Sequence, residues 1–202
     1  KIGIDIRAIG QQRTGDEYYT LNLVRNLLKI DKKNQYFLLT NTGEIKGIKE
    51  KIFKGLENKN AQIISVLPNS KLIWTFFLLP KIAKKLNLHV LHVQYITPLW
   101  LSRKIKLITT VHDVSFKAFP ELINKVDLFS LNLLIPISLK KADKIIAVSE
   151  FTKKEIVKYY NTEEEKIKVI YNGGTSEVFN GKNKNSLKIL NEIGVEKPYL
   201  FY

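Results

Sequence analysis

The sequence predicts an α/β protein with a doubly wound, mostly parallel, Rossmann-like sheet that carries helices on both faces. Short β-rich segments alternate with longer amphipathic segments along nearly the whole chain. Several short segments are almost continuous in Ile, Val and Leu, as expected for strands buried on both faces of a parallel sheet. Hydrophobic residues make up 45% of the 202 positions, which is enough for one sizeable core or one domain and the beginning of another.

Seven segments are predicted strands. They are IGIDI (2–6), QYFLLT (35–40), QIISV (62–66), HVLHV (89–93), KLITTV (106–111), KIIAVS (144–149) and KIKVIY (166–171). Because β and α units repeat along the chain, right-handed crossovers and a doubly wound sheet are expected.

Four amphipathic segments between these strands are predicted helices. They cover residues 16–30, 71–86, 120–142 and 149–160. Pro80 should break or kink the second, and the third is one long helix or two helices joined near Pro136. In the fourth, Ser149 is the predicted N-cap and Glu150 lies in the first turn, where a carboxylate complements the helix dipole.

The chain is predicted to contain one complete domain and the beginning of a second. Residues 1–179 form the Rossmann-like domain. The polar stretch NGKNKNS (180–186) reads as a surface connection. A short helix and the strand PYLFY (198–202) follow. Because no partner for that strand comes after it, residues 180–202 are interpreted as a linker and the first elements of a truncated second domain.

The composition narrows the classes of partner. The net charge of +14 favours polyanionic partners such as nucleic acid, anionic lipid or nucleotide phosphates. Only four of the 33 basic residues are arginines, and base-reading proteins depend on the arginine fork, so nucleic acid is disfavoured. A biased composition is the alternative explanation, since lysine, isoleucine and asparagine are enriched together.

The absence of cysteine excludes disulfides and thiolate metal sites and fits a reducing compartment. No metal is expected, because neither HExxH nor a paired Asp/His spacing occurs. The opening KIGIDIR predicts a strand and not a secretory leader. The longest apolar runs, 72–80 and 128–139, contain proline and are shorter than the roughly 20 residues of a spanning helix. A soluble protein, or one lying on a membrane surface, is therefore expected.

Polar residues, glycines and aromatic residues follow most of the predicted strands. RAIGQQRTGDEYY comes after the first strand, QYITPLW after the fourth, HDVSF after the fifth, SEF after the sixth and NGGTSEVF after the seventh. In open parallel sheets, ligands bind beyond the carboxyl ends of the strands near the switch in strand order. The sequence therefore predicts a polar-ligand site at this edge.

Four motifs occur in a characteristic order: RTGDEYYTLNLVRNLL, TVHD, ADKIIAVSEFTKKEI, and KIKVIYNGG followed by VF. Together they resemble the N-terminal half of a retaining glycosyltransferase of family 4, also called group 1, with a GT-B fold. The resemblance covers nearly the whole chain, and its most specific part runs from the third motif to the fourth.

The resemblance implies a cytoplasmic, metal-independent, two-domain enzyme that requires no cofactor. Its N-terminal domain binds a saccharide or lipid-linked acceptor. Its C-terminal domain binds a nucleotide-sugar as co-substrate, and the reaction takes place in the cleft between them. The paired-glutamate donor motif of the family lies beyond PYLFY, so residues 1–202 alone are expected not to transfer sugar.

The resemblance and the strand-end position assign His112 to contact with the donor sugar, where it would orient a hydroxyl as positive charge develops at the anomeric carbon. The alternative is a strand-end histidine whose hydrogen bonds are satisfied structurally. Asp113 is interpreted as a positioning partner for the loop or the imidazole. His89 and His92 lie in or beside a strand, and structural roles are expected for both.

Thr14 and Gly15 are the candidate donor-phosphate loop, because glycine lets a backbone approach a diphosphate at a helix N-terminus. The alternative is an ordinary tight turn. The family commonly continues with a small or apolar residue and a second glycine, whereas Asp16 and Glu17 stand here. Two carboxylates near a phosphate are unfavourable unless they point away or bind acceptor hydroxyls. Arg13 either compensates their charge or is solvated.

Further candidates for the acceptor site or cleft rest on position and on the family motif. They are Arg13, Gln94, Tyr95, Ser149, Glu150, Asn172 and Gly173. Ser149 and Glu150 are interpreted mainly as helix-start residues. Asn172 and Gly173 resemble the Asn-Gly turn that leads towards the interdomain cleft, although turn chemistry alone also explains them.

The lysines at positions 81, 84 and 85 follow the apolar stretch WTFFLL and are candidates for peripheral contact with the inner face of an anionic membrane. The alternative is a core-facing apolar stripe with a solvated basic end. For the whole chain, two rival functions remain: a non-catalytic basic module that binds a nucleotide, nucleic acid or anionic lipid, and an epimerase with the same two-domain architecture.

Overall fold

The computed structural model describes residues 1–11, 14–57, 60–68, 70–173, 190–192 and 194. The chain divides into two compact units, residues 1–171 and 172–202. The predicted boundary between 179 and 180, the connection 180–186 and the strand 198–202 lie outside the described residues. Residues 190–192, where the short helix was predicted, are helical.

In the described part of the first unit, seven strands form one sheet in the order β3-β2-β1-β4-β5-β6-β7, and every pairing is parallel. The strands are β1 (Ile2–Asp5), β2 (Tyr36–Thr40), β3 (Ala61–Ser65), β4 (Val90–Gln94), β5 (Lys106–Val111), β6 (Lys144–Ala147) and β7 (Ile167–Val169). The predicted fold class and all seven predicted strands are confirmed.

Two strands, β6 and β7, end two residues earlier than the sequence pattern predicts. β6 ends at Ala147 instead of Ser149, because Ser149 caps the following helix and the chain has to leave the ladder before it. β7 ends at Val169, although the amide of Ile170 still donates to the carbonyl of Ala147 at 2.9 Å.

The helices are α1 (Thr14–Ile30), α2 (Ile45–Phe53), α3 (Lys71–Ile73), α4 (Leu79–Lys85), α5 (Lys125–Lys141) and α6 (Glu150–Tyr160). A π-helical turn, Trp74–Leu78, joins α3 to α4, and short 3₁₀ turns cover Ser115–Lys117, Pro120–Leu122 and Glu164–Lys166. Helices α1, α5 and α6 correspond to predicted helices, and α3, the π-helical turn and α4 together correspond to the predicted segment 71–86.

Helix α2 was not predicted from the sequence pattern. Its N-cap residue Glu44 makes no side-chain cap hydrogen bond, and Gly47 lies inside the helix, so neither a start signal nor a strong helix propensity marks the segment. The helix forms because Ile48 and Ile52, four residues apart, share one buried face against the core.

Of the break or kink predicted at Pro80, the break does not occur. The helical run continues from residue 71 to residue 85, and its winding widens to a π-helical turn immediately before α4. Pro80 occupies the first turn of α4, where its missing amide hydrogen is tolerated. Likewise α5 passes through Pro136 as one helix. It starts at Lys125 and not at 120, because Asn124 accepts from the amide of Asp127 and caps it.

Strand order determines where the carboxyl ends of the strands meet. From β1 the chain moves outwards through β2 to β3, then returns to the other side of β1 and moves outwards through β4 to β7. The order therefore reverses between β1 and β4, which pair with Ile4 opposite His92. A crevice at the carboxyl ends of these two strands is the expected ligand position in such a sheet.

Helices cover the sheet on both faces, and alternate residues of a strand point to different layers. In β2, Phe37 and Leu39 pack in the cluster that contains Trp74, while Tyr36 and Leu38 pack in the cluster under α1 and α2. A third cluster joins β5 to α5 and α6. These layers hold the strand ends in fixed positions, so the side chains that leave them are also fixed.

Candidate functional site

The side chains that leave β4 and β5 meet the beginning of α1 beside the switch point. Gln94 is the last residue of β4, His112 follows β5 directly, and Tyr19 and Thr20 lie in the second turn of α1. This group, His112, Gln94, Tyr19, Thr20 and Tyr95, is called the His112 cluster below.

A chain of hydrogen bonds links α1 to the imidazole. The hydroxyl of Thr20 donates to the carbonyl of Asp16 over 2.6 Å. The amide nitrogen of Gln94 donates to Thr20 Oγ1. The other end of that amide, Oε1, lies 3.0 Å from Nε2 of His112. Helix α1 and the ends of β4 and β5, which are distant in sequence, are thereby connected at the imidazole of His112.

Two tyrosine rings orient the imidazole. The ring of Tyr19 meets it edge to face, with 4.6 Å between the centroids, and the ring of Tyr95 lies tilted at 5.6 Å. Tyr95 has a φ of 56°, which is uncommon for a residue other than glycine. Its backbone therefore turns sharply where β4 ends, and this turn brings its ring to His112.

Burial lowers the pKa of the His112 ring below its ordinary value, while the negative charges of Asp16 and Asp113 act in the opposite direction. Burial also raises the pKa of Tyr19 and of Tyr95, the latter further through Asp113 and Asp16. At neutral pH the cluster consequently presents a neutral imidazole and two neutral hydroxyls beside carboxylates. Such a set suits a polyhydroxylated ligand better than an anion.

Asp113 is held by the loop that follows it. Its Oδ1 accepts hydrogen bonds from the amide and the hydroxyl of Ser115, at 2.9 and 2.6 Å, and its Oδ2 accepts from the hydroxyl of Tyr95 at 3.3 Å. These contacts fit the expected positioning role towards the loop. They also tie the exit of β5 to the exit of β4.

The beginning of α6 supports the same loop from the other side. Ser149 accepts from the amide of Thr152 at 3.0 Å and is the N-cap, as predicted. The hydroxyl of Thr152 donates to the backbone carbonyl of His112 over 3.0 Å. Glu150 is exposed in the first turn. Thr152 therefore supports the His112 loop, a contact that the sequence pattern does not indicate.

Glu17 and Asp16 have different surroundings in the first turn of α1. Glu17 accepts from the amide of Gly10 at 3.1 Å and pairs with Lys51 of α2 at 2.7 Å. Asp16, in contrast, faces His112 and Tyr95 closely enough to raise the pKa of both. The carboxylate of Asp16 therefore lies at this crevice.

Among the described residues, apart from the two chain neighbours and the nearby backbone of the same helix, no atom lies within 4 Å of the Cβ position that a side chain at Gly15 would add. Packing within the described chain therefore does not require glycine there, and the position is open to a ligand. The backbone of Thr14 begins α1. The candidate Arg13 and the side chain of Thr14 lie outside the described part.

Asn172 and Gly173 are the first residues of the second unit and are exposed. Neither residue has a positive φ, the backbone conformation that an Asn-Gly turn can use. Their predicted role in the cleft stays a prediction.

The two remaining histidines have separate positions. His92 in β4 is buried and lies 2.8 Å from the hydroxyl of Thr110, and burial lowers its pKa to about 4. His89 is exposed, with Nδ1 3.2 Å from the amino group of Lys1. Both arrangements agree with structural roles.

Lys81 and Lys84 line a groove of about 1120 Å³ between α4 and the loop after β4, which is called the basic groove below. Its aromatic and charged walls are Phe76, Phe77, Trp100, Lys81, Lys84, Arg103, Lys106, Lys141 and Asp143. Asp143 pairs with Lys106 at 2.8 Å, so the other cations of the groove face no carboxylate within it. Lys85 is exposed but does not line the groove, and no member of the His112 cluster does.

Within the described ranges, no three His, Asp or Glu side chains are grouped so that they could hold a metal ion. Among the helices of the same ranges, none has the length and apolar character needed to cross a bilayer.

The chain is similar to a known protein family and to solved structures. The model of Glycosyltransferase Family 4 matches residues 14–174. Among solved structures, a glycosyltransferase from Rickettsia africae ESF-5 is 22% identical with a TM-score of 0.59, covering 98% of this chain and 50% of that one.

The UDP-GlcNAc 2-epimerase from Methanocaldococcus jannaschii is 16% identical with a TM-score of 0.51, covering 96% of this chain and 53% of that one. This chain therefore spans about half the length of either protein. At these identities the two structures support the fold alone. Comparison with curated protein sequences gives no significant match.

Proposed function

The chain belongs to glycosyltransferase family 4, and from this membership and the geometry of its crevice we propose that it is the acceptor-side half of a retaining glycosyltransferase. The enzyme moves a sugar from a nucleotide-sugar to a saccharide or lipid-linked acceptor. The family model covers residues 14–174, and thus includes every residue of the His112 cluster.

The observation that carries the proposal is the environment of His112. The imidazole lies at the carboxyl end of β5 beside the strand-order switch, fixed by Gln94 and flanked by two tyrosine rings. The ring of His112 is only partly buried, in contrast to that of His92. The side chain is thus fixed in orientation and still accessible to a ligand.

The proposed chemistry uses the cluster for positioning and charge stabilisation. The bond between the anomeric carbon and the diphosphate oxygen breaks, and the acceptor hydroxyl attacks on the face that the diphosphate vacates. The proton of that hydroxyl passes to the departing phosphate oxygen. His112 holds a sugar hydroxyl while positive charge develops at the anomeric carbon, and the carboxylate of Asp16 stabilises that charge.

The donor is bound largely by a second domain in this proposal, because the chain spans half the length of the glycosyltransferase it resembles. The open backbone at Gly15 and the N-terminus of α1 would approach the diphosphate. The negative charge of Asp16 would repel the diphosphate. In this proposal the diphosphate therefore contacts the backbone of Gly15, and the carboxylate of Asp16 faces the sugar. No metal and no further cofactor take part, and the enzyme works in the cytoplasm.

Two rival functions predict different outcomes in an activity assay. The similarity to the UDP-GlcNAc 2-epimerase makes an epimerase one rival. An epimerase would change a nucleotide-sugar without an acceptor. A non-catalytic basic module would bind nucleic acid or anionic lipid through its net charge of +14 and turn over nothing. Affinity for DNA that falls steeply with added salt would support the module.

The test is a screen for release of free nucleotide from a panel of nucleotide-sugars. It compares the 202-residue chain with the longer polypeptide of which we propose it forms the first half, each with and without saccharide and lipid-linked acceptors. We expect acceptor-dependent release, with a product of unchanged anomeric configuration, from the longer polypeptide only. Conversion of the sugar without an acceptor would favour the epimerase, and an inverted product would refute retention.

We also propose that the basic groove rests on an anionic membrane surface on its cytoplasmic side. Phe77 and Trp100 are 61% and 67% exposed beside Lys81 and Lys84. Aromatic rings surrounded by lysines suit the boundary between lipid headgroups and acyl chains, and each lysine near an anionic surface contributes about 1 kcal/mol.

Sedimentation with phosphatidylglycerol vesicles tests this proposal against neutral phosphatidylcholine vesicles. The double variant Lys81→Glu/Lys84→Glu should weaken binding to the anionic vesicles about tenfold or more. The matched control, Lys46→Glu/Lys49→Glu, makes the same charge change at exposed positions of α2 and should bind more strongly than the groove variant. Equal losses in both variants would show that only net charge matters.

A further inference from the structure

We propose that Thr20 and Gln94 form a relay that fixes the tautomer of His112, so that Nδ1 is presented to the substrate as the acceptor for a sugar hydroxyl. Gln94 and Thr20 are positioning residues in this proposal, because they act through the imidazole. The identity of the substrate rests on the proposed function. The tautomer itself is a property of the folded chain and can be measured without any reaction.

The relay begins at a backbone carbonyl. The hydroxyl of Thr20 lies 2.6 Å from the carbonyl oxygen of Asp16. A carbonyl oxygen only accepts, so the single hydroxyl hydrogen of Thr20 is committed to this bond. Thr20 is 1% exposed, and solvent does not compete for that hydrogen. Towards any other neighbour, Thr20 Oγ1 can act only as an acceptor.

Gln94 transmits this direction to the ring. One end of its amide contacts Thr20 Oγ1 and the other contacts His112. Since Thr20 can only accept, the amide nitrogen has to face Thr20, and the amide oxygen has to face the imidazole. The donors and acceptors on either side of the Gln94 amide therefore determine which of its ends is the nitrogen.

The last step determines where the imidazole proton sits. Nε2 of His112 lies 3.0 Å from an oxygen that can only accept, and it therefore carries a hydrogen. Burial lowers the pKa of this ring, and a neutral imidazole has one proton to place. Nδ1 then holds a bare lone pair. In the described part of the chain, no group hydrogen-bonds to Nδ1.

The bare lone pair defines what His112 can recognise. It accepts a hydrogen bond from a neutral hydroxyl, and it repels a phosphate or carboxylate oxygen. The imidazole is therefore placed to read a hydroxyl of the sugar rather than the diphosphate. A substrate analogue with hydrogen in place of that hydroxyl would leave a buried acceptor unpaired and should react more slowly.

Protonation of His112 turns Nδ1 into a donor and abolishes this recognition. Activity should therefore fall as the pH decreases through the lowered pKa of the ring. The titratable groups that face the ring are Asp16 and Tyr19 on α1, His92 on β4, Tyr95 after β4 and Asp113 after β5. The two carboxylates raise the pKa of the ring, whereas burial, the largest influence, lowers it.

Nitrogen NMR of the 202-residue chain with labelled histidine tests the relay directly. In the wild type, long-range proton–nitrogen correlations should show protonated Nε2 and bare Nδ1 for His112. Thr20→Ser keeps the hydroxyl and should preserve this pattern. Thr20→Val has nearly the same shape but no acceptor for the Gln94 amide, so the amide can turn over and Nδ1–H should become populated. Protonated Nδ1 in the wild type, or identical spectra for Ser and Val, would overturn the relay.

A second pair of variants tests the link to activity. Gln94→Glu replaces the neutral acceptor by a carboxylate, which should raise the pKa of His112 by about one unit or more. In the longer polypeptide, the acid limb of the pH–rate profile should move up with it. Gln62→Glu makes the same change at an exposed position of the edge strand β3 and should leave the limb in place.

The two readouts separate failure of the relay from failure of the proposed function. If sugar is transferred but neither the tautomer nor the acid limb responds, the relay is wrong and the function stands. If the tautomer responds as expected but no nucleotide-sugar reacts, the relay stands and the assignment of His112 to sugar transfer fails.

Discussion

Burial of His92 makes the stability of the fold depend on pH in a way that one substitution can isolate. The His92 side chain is neutral, 8% exposed and 2.8 Å from the hydroxyl of Thr110. Burial lowers its pKa from the ordinary 6.5 to about 4, against the opposing charge of Asp5, and any positive charge on His112 lowers it further. Above pH 6.5 neither the folded nor the unfolded state protonates His92. As the pH falls from 6.5 to about 4, only the unfolded state does.

The free energy of unfolding should therefore decrease through this window. The two pKa values differ by about 2.5 pH units, and each unit corresponds to about 1.4 kcal/mol, so His92 accounts for a loss of about 3 kcal/mol by pH 4. Gln at this position keeps an amide nitrogen near the Thr110 hydroxyl and has no proton to titrate. His92→Gln should thus lose about 3 kcal/mol less than the wild type between pH 7 and pH 4.

Urea unfolding at a series of pH values measures this difference, because the contributions of all other groups cancel between the two proteins. His89→Gln, which removes an exposed histidine directly before the same strand, is the matched control for the loss of a histidine. If the curves of the wild type and His92→Gln run parallel from pH 7 to pH 4, the buried neutral state of His92 is wrong.

Three further predictions concern the supports of the site and the sheet. Ser149→Ala removes the N-cap of α6 and should cost about 1 kcal/mol in urea unfolding, while Ser149→Asp should restore most of it. Thr152→Val removes the hydrogen bond to the His112 carbonyl and should cost about 1 kcal/mol, while Thr152→Ser should stay close to the wild type; equal effects of the two would contradict a role for the hydroxyl. Gly3→Ala would place a Cβ in steric overlap with a methyl group of Leu88 and should lower the stability by about 1–3 kcal/mol; an unchanged melting temperature would show that Leu88 moves aside freely.

The fold was predictable because its strands carry a strong local signal. Continuous runs such as KLITTV (106–111) are typical of parallel strands buried on both faces, and all seven predicted strands form. Helix α2 was not predicted because it is short, contains Gly47 and has no side-chain cap. The π-helical turn before Pro80 was equally hidden, since it depends on how Trp74 packs in the core.

The site was predictable only in part. His112 and Gln94 were found because each follows or ends a strong strand, and parallel strands bring such ends together. Thr20 and Thr152 were missed, because nothing local distinguishes a threonine in a helix that contacts a strand end from one that does not. Their contacts join residues that are 74 and 40 positions apart in the sequence. Strand order decides which of these residues lie close together in space, and the local pattern does not reveal strand order.

The central claim is that His112 contacts the sugar during transfer, and turnover of a His112 variant tests it most directly. In the longer polypeptide, with the nucleotide-sugar and acceptor identified by the screen, His112→Ala should reduce kcat/KM by about 100-fold or more, as removal of a transition-state contact does. His89→Ala, at an exposed position, serves as the control for loss of a histidine. A His112→Ala enzyme that folds normally and transfers sugar as fast as the wild type would contradict the account.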